Sequence, residues 1–202
     1  EGDFVLKSGR RSNYYIDLRC LISYPDLLKQ ISELIFEKIK DTDGLLCGLP
    51  YAGIPYSQTI SVQHNRPSVI LRKEKKKYGT GKMIEGLYKQ GDDLIIIDDI
   101  LSSGISIKES LEHLKDFNIK KIIVIFDREE DGRDNIRELG YEIESIFKLH
   151  ELRGINTLMN CKLYDIPNKL ENQIREQIIT KKSNICVSLD FTRFQQILDA
   201  LE

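Results

Sequence analysis

The stretch that most constrains this chain is Leu94-Ile95-Ile96-Ile97-Asp98-Asp99-Ile100-Leu101-Ser102-Ser103-Gly104-Ile105-Ser106. It opens as a short apolar run rich in β-branched residues, the pattern of a strand buried on both faces of a parallel sheet. Two carboxylates, Asp98 and Asp99, follow where that strand should emerge, and then a small hydroxylated turn containing Gly104. From Ile105 the period changes: Ile107, Leu111 and Leu114 recur at helical spacing, with Lys108, Glu109 and Glu112 between them. In an open α/β sheet such a turn lies at the carboxyl end of a strand, where ligands bind. Backbone N–H groups there, with the hydroxyls of Ser102, Ser103 and Ser106, can hold a phosphate monoester. Asp98 and Asp99 are acceptors suited to a sugar diol beside that phosphate. A ribose 5-phosphate satisfies both halves.

This segment resembles the phosphoribosyl-pyrophosphate (PRPP) signature of the type I phosphoribosyltransferases: a hydrophobic strand, two acidic residues and a Thr/Ser-Gly turn. The resemblance implies that family's α/β fold, a mostly parallel open sheet flanked by helices with a small hood. It also implies PRPP contacts along Asp98, Asp99, Ile100, Leu101, Ser102, Ser103, Gly104, Ile105 and Ser106.

Length and composition agree with one ordinary domain plus an extension: 202 residues, 41% hydrophobic and 31% charged. A formal net charge of −2 argues against bulk nucleic-acid or membrane binding, so anion recognition must come from a local basic cluster. Cys20, Cys47, Cys161 and Cys186 are far apart and form no C-x-x-C, and Cys47 and Cys186 lie in apolar strand-like runs, so buried free thiols are expected. His64, His113 and His150 show no ligand spacing either. No run approaches the roughly 18 apolar residues of a membrane span, and no signal-peptide pattern is visible. The expectation is a cytoplasmic protein. Because the chain starts at Glu1 in mid-pattern, it is expected to be a fragment.

In chain order, residues 2–19 read as two short strands around a polar turn. They resemble the opening of orotate phosphoribosyltransferases, where a Lys-Ser-Gly turn and an aromatic pair line the orotate pocket. The resemblance gives Lys7, Tyr14 and Tyr15 to orotate, and Lys7 also to PRPP. A planar anion suits a cation with aromatic neighbours. The apolar spacing of Leu27, Leu28, Ile31, Leu34, Ile35 and Ile39 predicts a helix over 25–40, with Pro25 in its first turn. A buried strand over 45–49 then enters Pro50-Tyr51-Ala52-Gly53, whose glycine permits close backbone approach to a ligand. In the resembling family this loop meets pyrophosphate, here through Tyr51 and Ala52; many relatives carry Lys at the second place. A helix over 54–63 and a strand over 67–71 follow.

Residues 72–86 carry six cations and three glycines but few apolar side chains, so they build no core. Between two buried strands this suits a mobile loop that closes over an anionic substrate. It is not a Walker A loop, since Met83 follows Gly81-Lys82, and Ile84 breaks the G-x-G-x-x-G pattern. It resembles the catalytic loop of orotate phosphoribosyltransferases, Arg-Lys-x-x-Lys-x-His-Gly, with Arg72, Lys73 and Lys76 at the basic positions and Tyr78 in place of histidine. The implied catalytic residues are Lys76, Arg72, Lys73 and Asp99. Arg72, Lys73, Lys76 and Tyr78 are implied to contact PRPP.

A strand over 121–126 delivers Asp127-Arg128-Glu129-Glu130-Asp131-Gly132. A guanidinium fork matches a planar carboxylate, and the family has an arginine here that binds orotate, a role the resemblance gives to Arg128 together with Ser102. A short helix over 135–139, capped by Gly140, and a last strand over 141–147 complete this part. Beyond it a helix is predicted over 170–181, a strand over 184–190 and a helix over 193–201. This tail resembles the start of orotidine monophosphate decarboxylase, whose catalytic lysine–aspartate motif is absent. The expected division is a transferase domain over 1–165, then a linker and the first strand and helix of a truncated decarboxylase-like barrel over 166–202. That is the order of the bifunctional uridine monophosphate synthases.

The resemblance implies the conversion of orotate and PRPP to orotidine 5′-monophosphate and pyrophosphate. It further implies a magnesium ion held mainly by PRPP, with no direct protein ligand, and a homodimer with shared active sites. The alternatives are a purine phosphoribosyltransferase of the same fold and a PRPP-binding regulator.

Overall fold

The computed structural model describes residues 16–75 and 82–151, and the backbone of residues 4–5 and 11–12. Strand β1 (Phe4–Val5) pairs antiparallel with β2 (Arg11–Ser12), Phe4 opposite Ser12, as the predicted pair of short strands requires. Residues 18–149 pack as one unit. Lys7, Tyr14, Tyr15, Lys76 and Tyr78 lie outside the described residues. So do Cys161, Cys186, the predicted tail elements and the boundary expected at 165/166.

A 3₁₀ turn over Arg19–Ser23, which sequence periodicity missed, leads into α1 (Pro25–Ile39). Leu27, Ile31, Ile35 and Ile39 recur every fourth residue and are buried, so α1 presents one apolar stripe. Then come β3 (Leu45–Gly48), α2 (Gly53–His64), β4 (Ser68–Leu71) and a two-residue strand, β5 (Ile84–Glu85). The second half is β6 (Asp93–Leu101), α3 (Ile105–Leu111), β7 (Asn118–Asp127), α4 (Gly132–Arg137) and β8 (Ile143–Lys148).

The six longer-range strands form one sheet in the order β5-β4-β3-β6-β7-β8. All pairs are parallel except β4–β5, which is antiparallel. The chain steps outward from β3 to β4, then returns to lay β6 on the other side of β3. Strand order therefore reverses between β3 and β6, and the crevice at their carboxyl ends is where a doubly wound sheet takes its ligand.

Alternation along β6 sorts its two faces. Leu94 and Ile96 join a cluster with Cys47, Leu49, Ile107, Leu111, Leu114 and Ile136. Ile95 and Ile97, equally buried, point to the opposite face. Cys47 is a free, buried thiol as expected, and burial pushes it up to about 12. Among the described residues no helix is long and apolar enough to cross a membrane.

Several boundaries differ from the sequence expectation, and three of the differences bear on the site. Strand β6 does not release the chain before the carboxylates: β7 is long enough to keep pairing it to Leu101, opposite Asp127. Helix α4 begins at Gly132 rather than at 135, because the amide of Gly132 is drawn onto the Ser102 carbonyl at 2.8 Å. Strand β5 lies inside the basic stretch, where Ile84 supplies a buried apolar side chain opposite Leu71.

Candidate active site

Two turns flank the crevice at the end of β3 and β6. The first, after β3, is Leu49 to Ala52. Its geometry is set by close contact: the amide of Leu49 donates to the Ile97 carbonyl at 2.8 Å, and that of Gly53 to Leu49 at 2.9 Å. A Cβ on Gly53 would stand 2.2 Å from the Ile97 oxygen, so only glycine lets α2 start directly on β6. The Pro50–Tyr51 peptide is cis. Tyr51 is 70% exposed, and Ala52 is the N-cap of α2.

The second turn is Ser102 to Gly104, with Gly104 in the left-handed region at φ 74°. The two carboxylates before it play different parts. By alternation Asp98 shares the face of Ile96, toward α3, and its carboxylate is hydrogen-bonded by Ser106 and by the amide of Asp99 at 3.0 Å. It is 6% exposed. Asp99 shares the face of Ile97, toward α2, and is half-buried, with its carboxylate accepting from the Ile100 amide at 2.8 Å. Burial, then the charge of Asp99, holds the Asp98 carboxyl well above the usual range, and burial also raises Asp99. Leu101 sends its side chain into the core, so anything it offers a ligand is backbone.

The base of the cationic stretch is ordered by two contacts. Arg72 pairs with Glu85 across β4 and β5 at 3.4 Å, and its Nε donates to the Glu74 carbonyl at 3.3 Å. The Lys73 ammonium lies over the Tyr51 ring, 5.5 Å from its centroid. Lys73 thus reaches the first turn, whereas Arg72 is engaged at the root of the stretch.

Arg128, just past β7, is 5% exposed and pairs with Glu130 at 3.0 Å, while its amide donates to the Leu101 carbonyl at 3.0 Å. Glu129 adopts the left-handed region at φ 56°, and its amide bonds the Asp127 carboxylate. Oδ2 of Asp127 in turn receives both Nη2 and Nε of Arg133, at 2.6 and 3.1 Å, which fixes this loop. Glu85 and Arg133 were not singled out from sequence because their partners lie outside their own local pattern, and Glu130 was not because nothing in the acidic run 129–131 marks which carboxylate Arg128 takes. Among the described residues no group of three or more His, Cys, Asp and Glu side chains gathers as a metal site.

This pair of turns on one switch point matches a known family. The model of the phosphoribosyl transferase domain matches residues 21–148. The chain belongs to the phosphoribosyl transferase family. It is 41% identical over 153 residues to a Bos taurus protein named uridine 5′-monophosphate synthase, covering 73% of this chain. The chain spans only 32% of that protein's length. Against a Methanocaldococcus jannaschii orotate phosphoribosyltransferase it is 33% identical, over 76% of this chain and 88% of that one. The solved structure of Leishmania donovani UMP synthase superposes with a TM-score of 0.71 at 31% identity, covering 89% of this chain and 39% of that one. The phosphoribosyl transferase domain described here has the type I fold expected from the sequence, a mostly parallel six-stranded sheet flanked by helices.

Proposed function

We propose that this phosphoribosyl transferase domain moves ribose 5-phosphate from PRPP to orotate, giving orotidine 5′-monophosphate and pyrophosphate, a step of pyrimidine nucleotide synthesis. The observation that carries this is the juxtaposition, at one topological switch point, of an acidic strand end with a phosphate-sized turn and a second turn touched by a lysine. Similarity to proteins named orotate phosphoribosyltransferase and uridine 5′-monophosphate synthase supports orotate as the acceptor. The transferase is read as one part of such a two-activity protein, with 166–202 opening a decarboxylase-like barrel, a division that rests on the resemblance of that tail alone.

In the reaction the N1 nitrogen of orotate gives up its proton, to the departing diphosphate or to water, and bonds to the ribose C1 as the C1–O bond to pyrophosphate breaks. Positive charge develops on the ribose and negative charge on the leaving group, so catalysis is placement and electrostatic stabilisation away from water. Asp99, with Asp98 behind it, accepts from the ribose hydroxyls. The backbone and hydroxyls of Ser102 to Ser106 hold the 5′-phosphate. Tyr51, Ala52 and Lys73, with Lys76 and Tyr78 of the flap, face the diphosphate, and Arg72 joins them by leaving its Glu85 partner. Lys7, Tyr14, Tyr15, Ser102 and Arg128 orient orotate, for which Arg128 exchanges its Glu130 partner for the substrate carboxylate. Magnesium, a hard cation that takes oxygen ligands, would be held mainly by PRPP oxygens near Asp99 and would supply neutralisation of the departing charge. The working form is a cytoplasmic homodimer in which the flap of one subunit covers the other's site.

Loss of orotate absorbance in the presence of PRPP and magnesium tests the reading, with adenine and hypoxanthine as competing acceptors. Turnover with a purine and none with orotate would replace the acceptor. PRPP binding without pyrophosphate release to any base would make the domain a sensor rather than an enzyme.

A further inference from the structure

Three consecutive carbonyls of the phosphate turn are each held by a donor from the segment that follows β7. The amide of Arg128 takes the Leu101 carbonyl at 3.0 Å, and the amide of Gly132 takes that of Ser102 at 2.8 Å. The side-chain Nδ2 of Asn135 takes that of Ser103 at 3.0 Å. In a planar trans peptide the carbonyl and the following N–H point in opposite directions. Tying down the carbonyls of 101, 102 and 103 therefore turns the amides of Ser102, Ser103 and Gly104 the other way. Among the described residues no backbone carbonyl takes those amides. They form a run of outward donors, the arrangement that binds phosphate oxygens. The approach is close: a Cβ on Gly132 would stand 2.3 Å from the Ser102 oxygen, and one on Gly104 3.1 Å from the Gly132 oxygen.

Two of the three tethers are backbone, and of these the one from residue 132 needs glycine there. The third depends on one residue. We infer that Asn135, an exposed side chain on α4, is a positioning residue that aims the phosphate-binding turn by holding the Ser103 carbonyl. Helix propensity does not account for asparagine at this exposed helical position, since Ala, Lys or Glu serve a helix better. Its amide is the donor of the right reach, and Ser103 is the turn residue with no backbone tether of its own. This inference rests on the proposed phosphate site, and it predicts which kinetic constant responds.

The test compares wild type with Asn135→Ala and with Asn135→Asp, which keeps the shape but cannot donate. Asn135→Ala raises both the KM for PRPP and the Kd for inorganic phosphate, read by calorimetry, about three- to tenfold, the range of one lost hydrogen bond. It leaves kcat near the wild-type value and Tm unchanged or higher, because alanine favours the helix. Asn135→Asp raises both constants further by setting a carboxylate against the Ser103 carbonyl. Unchanged KM and Kd in both variants, or a fall in kcat at constant KM, overturns the inference. Phosphate affinity needs no turnover, so failure of wild type to consume orotate sinks the proposed function while leaving this comparison decisive for Asn135.

Discussion

The ammonium of Lys73 lies 5.5 Å from the centroid of the Tyr51 ring, joining the turn after β3 to the root of the cationic stretch after β4. Tyr51 is too exposed to be a core residue, so its ring serves as a face for a cation. An exposed cation–π contact stabilises by about 0.5–1 kcal/mol, which corresponds to roughly two- to fivefold in affinity. Tyr51→Leu is therefore expected to raise the KM for PRPP by that factor, and Tyr51→Phe to change it little. Steady-state kinetics with both variants checks it; equal behaviour of Leu and Phe would rule the contact out as a cause.

Lys76 stands in the same basic stretch, at the position the orotate phosphoribosyltransferase resemblance makes catalytic. Loss of one preorganised electrostatic contact costs about 10²-fold or more in turnover. Lys76→Ala is expected to lose that much while its far-ultraviolet circular dichroism and melting curve stay as in wild type. Wild-type turnover at saturating PRPP would exclude the role.

The acidic pair predicts a pH dependence of stability. Burial, and then the charge of Asp99, raises the Asp98 carboxyl above its ordinary 3.8. Between the ordinary value and the raised one, the folded chain keeps a proton that the unfolded chain has released. The contribution of this group is thus fully present below the ordinary value and is lost as pH rises toward the folded one. Asp98→Asn has no such proton. Urea unfolding at several pH values is expected to show wild type losing stability relative to Asp98→Asn as pH climbs above about 4. Parallel curves would mean that Asp98 ionises normally in the fold.

Asp127 and Arg133 illustrate a different dependence. The carboxylate is nearly inaccessible, at 3%, and accepts both Nη2 and Nε of the guanidinium. Removing the cation strands a buried charge, and after allowing for the partly exposed arginine about 2–3 kcal/mol is expected for Arg133→Ala. Chemical denaturation measures it. A loss under about 0.5 kcal/mol, the scatter of ordinary surface substitutions, would mean that water replaces the arginine.

Tyr56 on α2 is 1% exposed, and its hydroxyl has no hydrogen-bond partner among the described residues. A buried hydroxyl left in that state costs about 1–3 kcal/mol. Tyr56→Phe removes the polar atom and keeps the ring, so it is expected to raise unfolding free energy by about 1 kcal/mol. Destabilisation of similar size in a urea melt would show that the hydroxyl is bonded in solution.

What the sequence determined by itself is what local patterning encodes. A run such as Leu94 to Ile97 can only be a strand covered on both faces, the spacing from Leu27 to Ile39 can only be one helical stripe, and a turn of Ser102, Ser103 and Gly104 after two aspartates is already suited to a sugar phosphate. Tertiary structure decided what depends on partners distant in the chain. Asp98 turned inward and Asp99 toward α2 because β7 prolonged β6 through the pair and alternation then assigned the faces. Arg72 was drawn to Glu85 by an antiparallel strand too short to carry a period of its own. Asn135 acquired its partner, 32 positions earlier, only when α4 packed on the turn. Hydrophobic periodicity is a property of neighbours along the chain, whereas a hydrogen bond across the sheet's edge is created by packing, so the first was legible beforehand and the second was not.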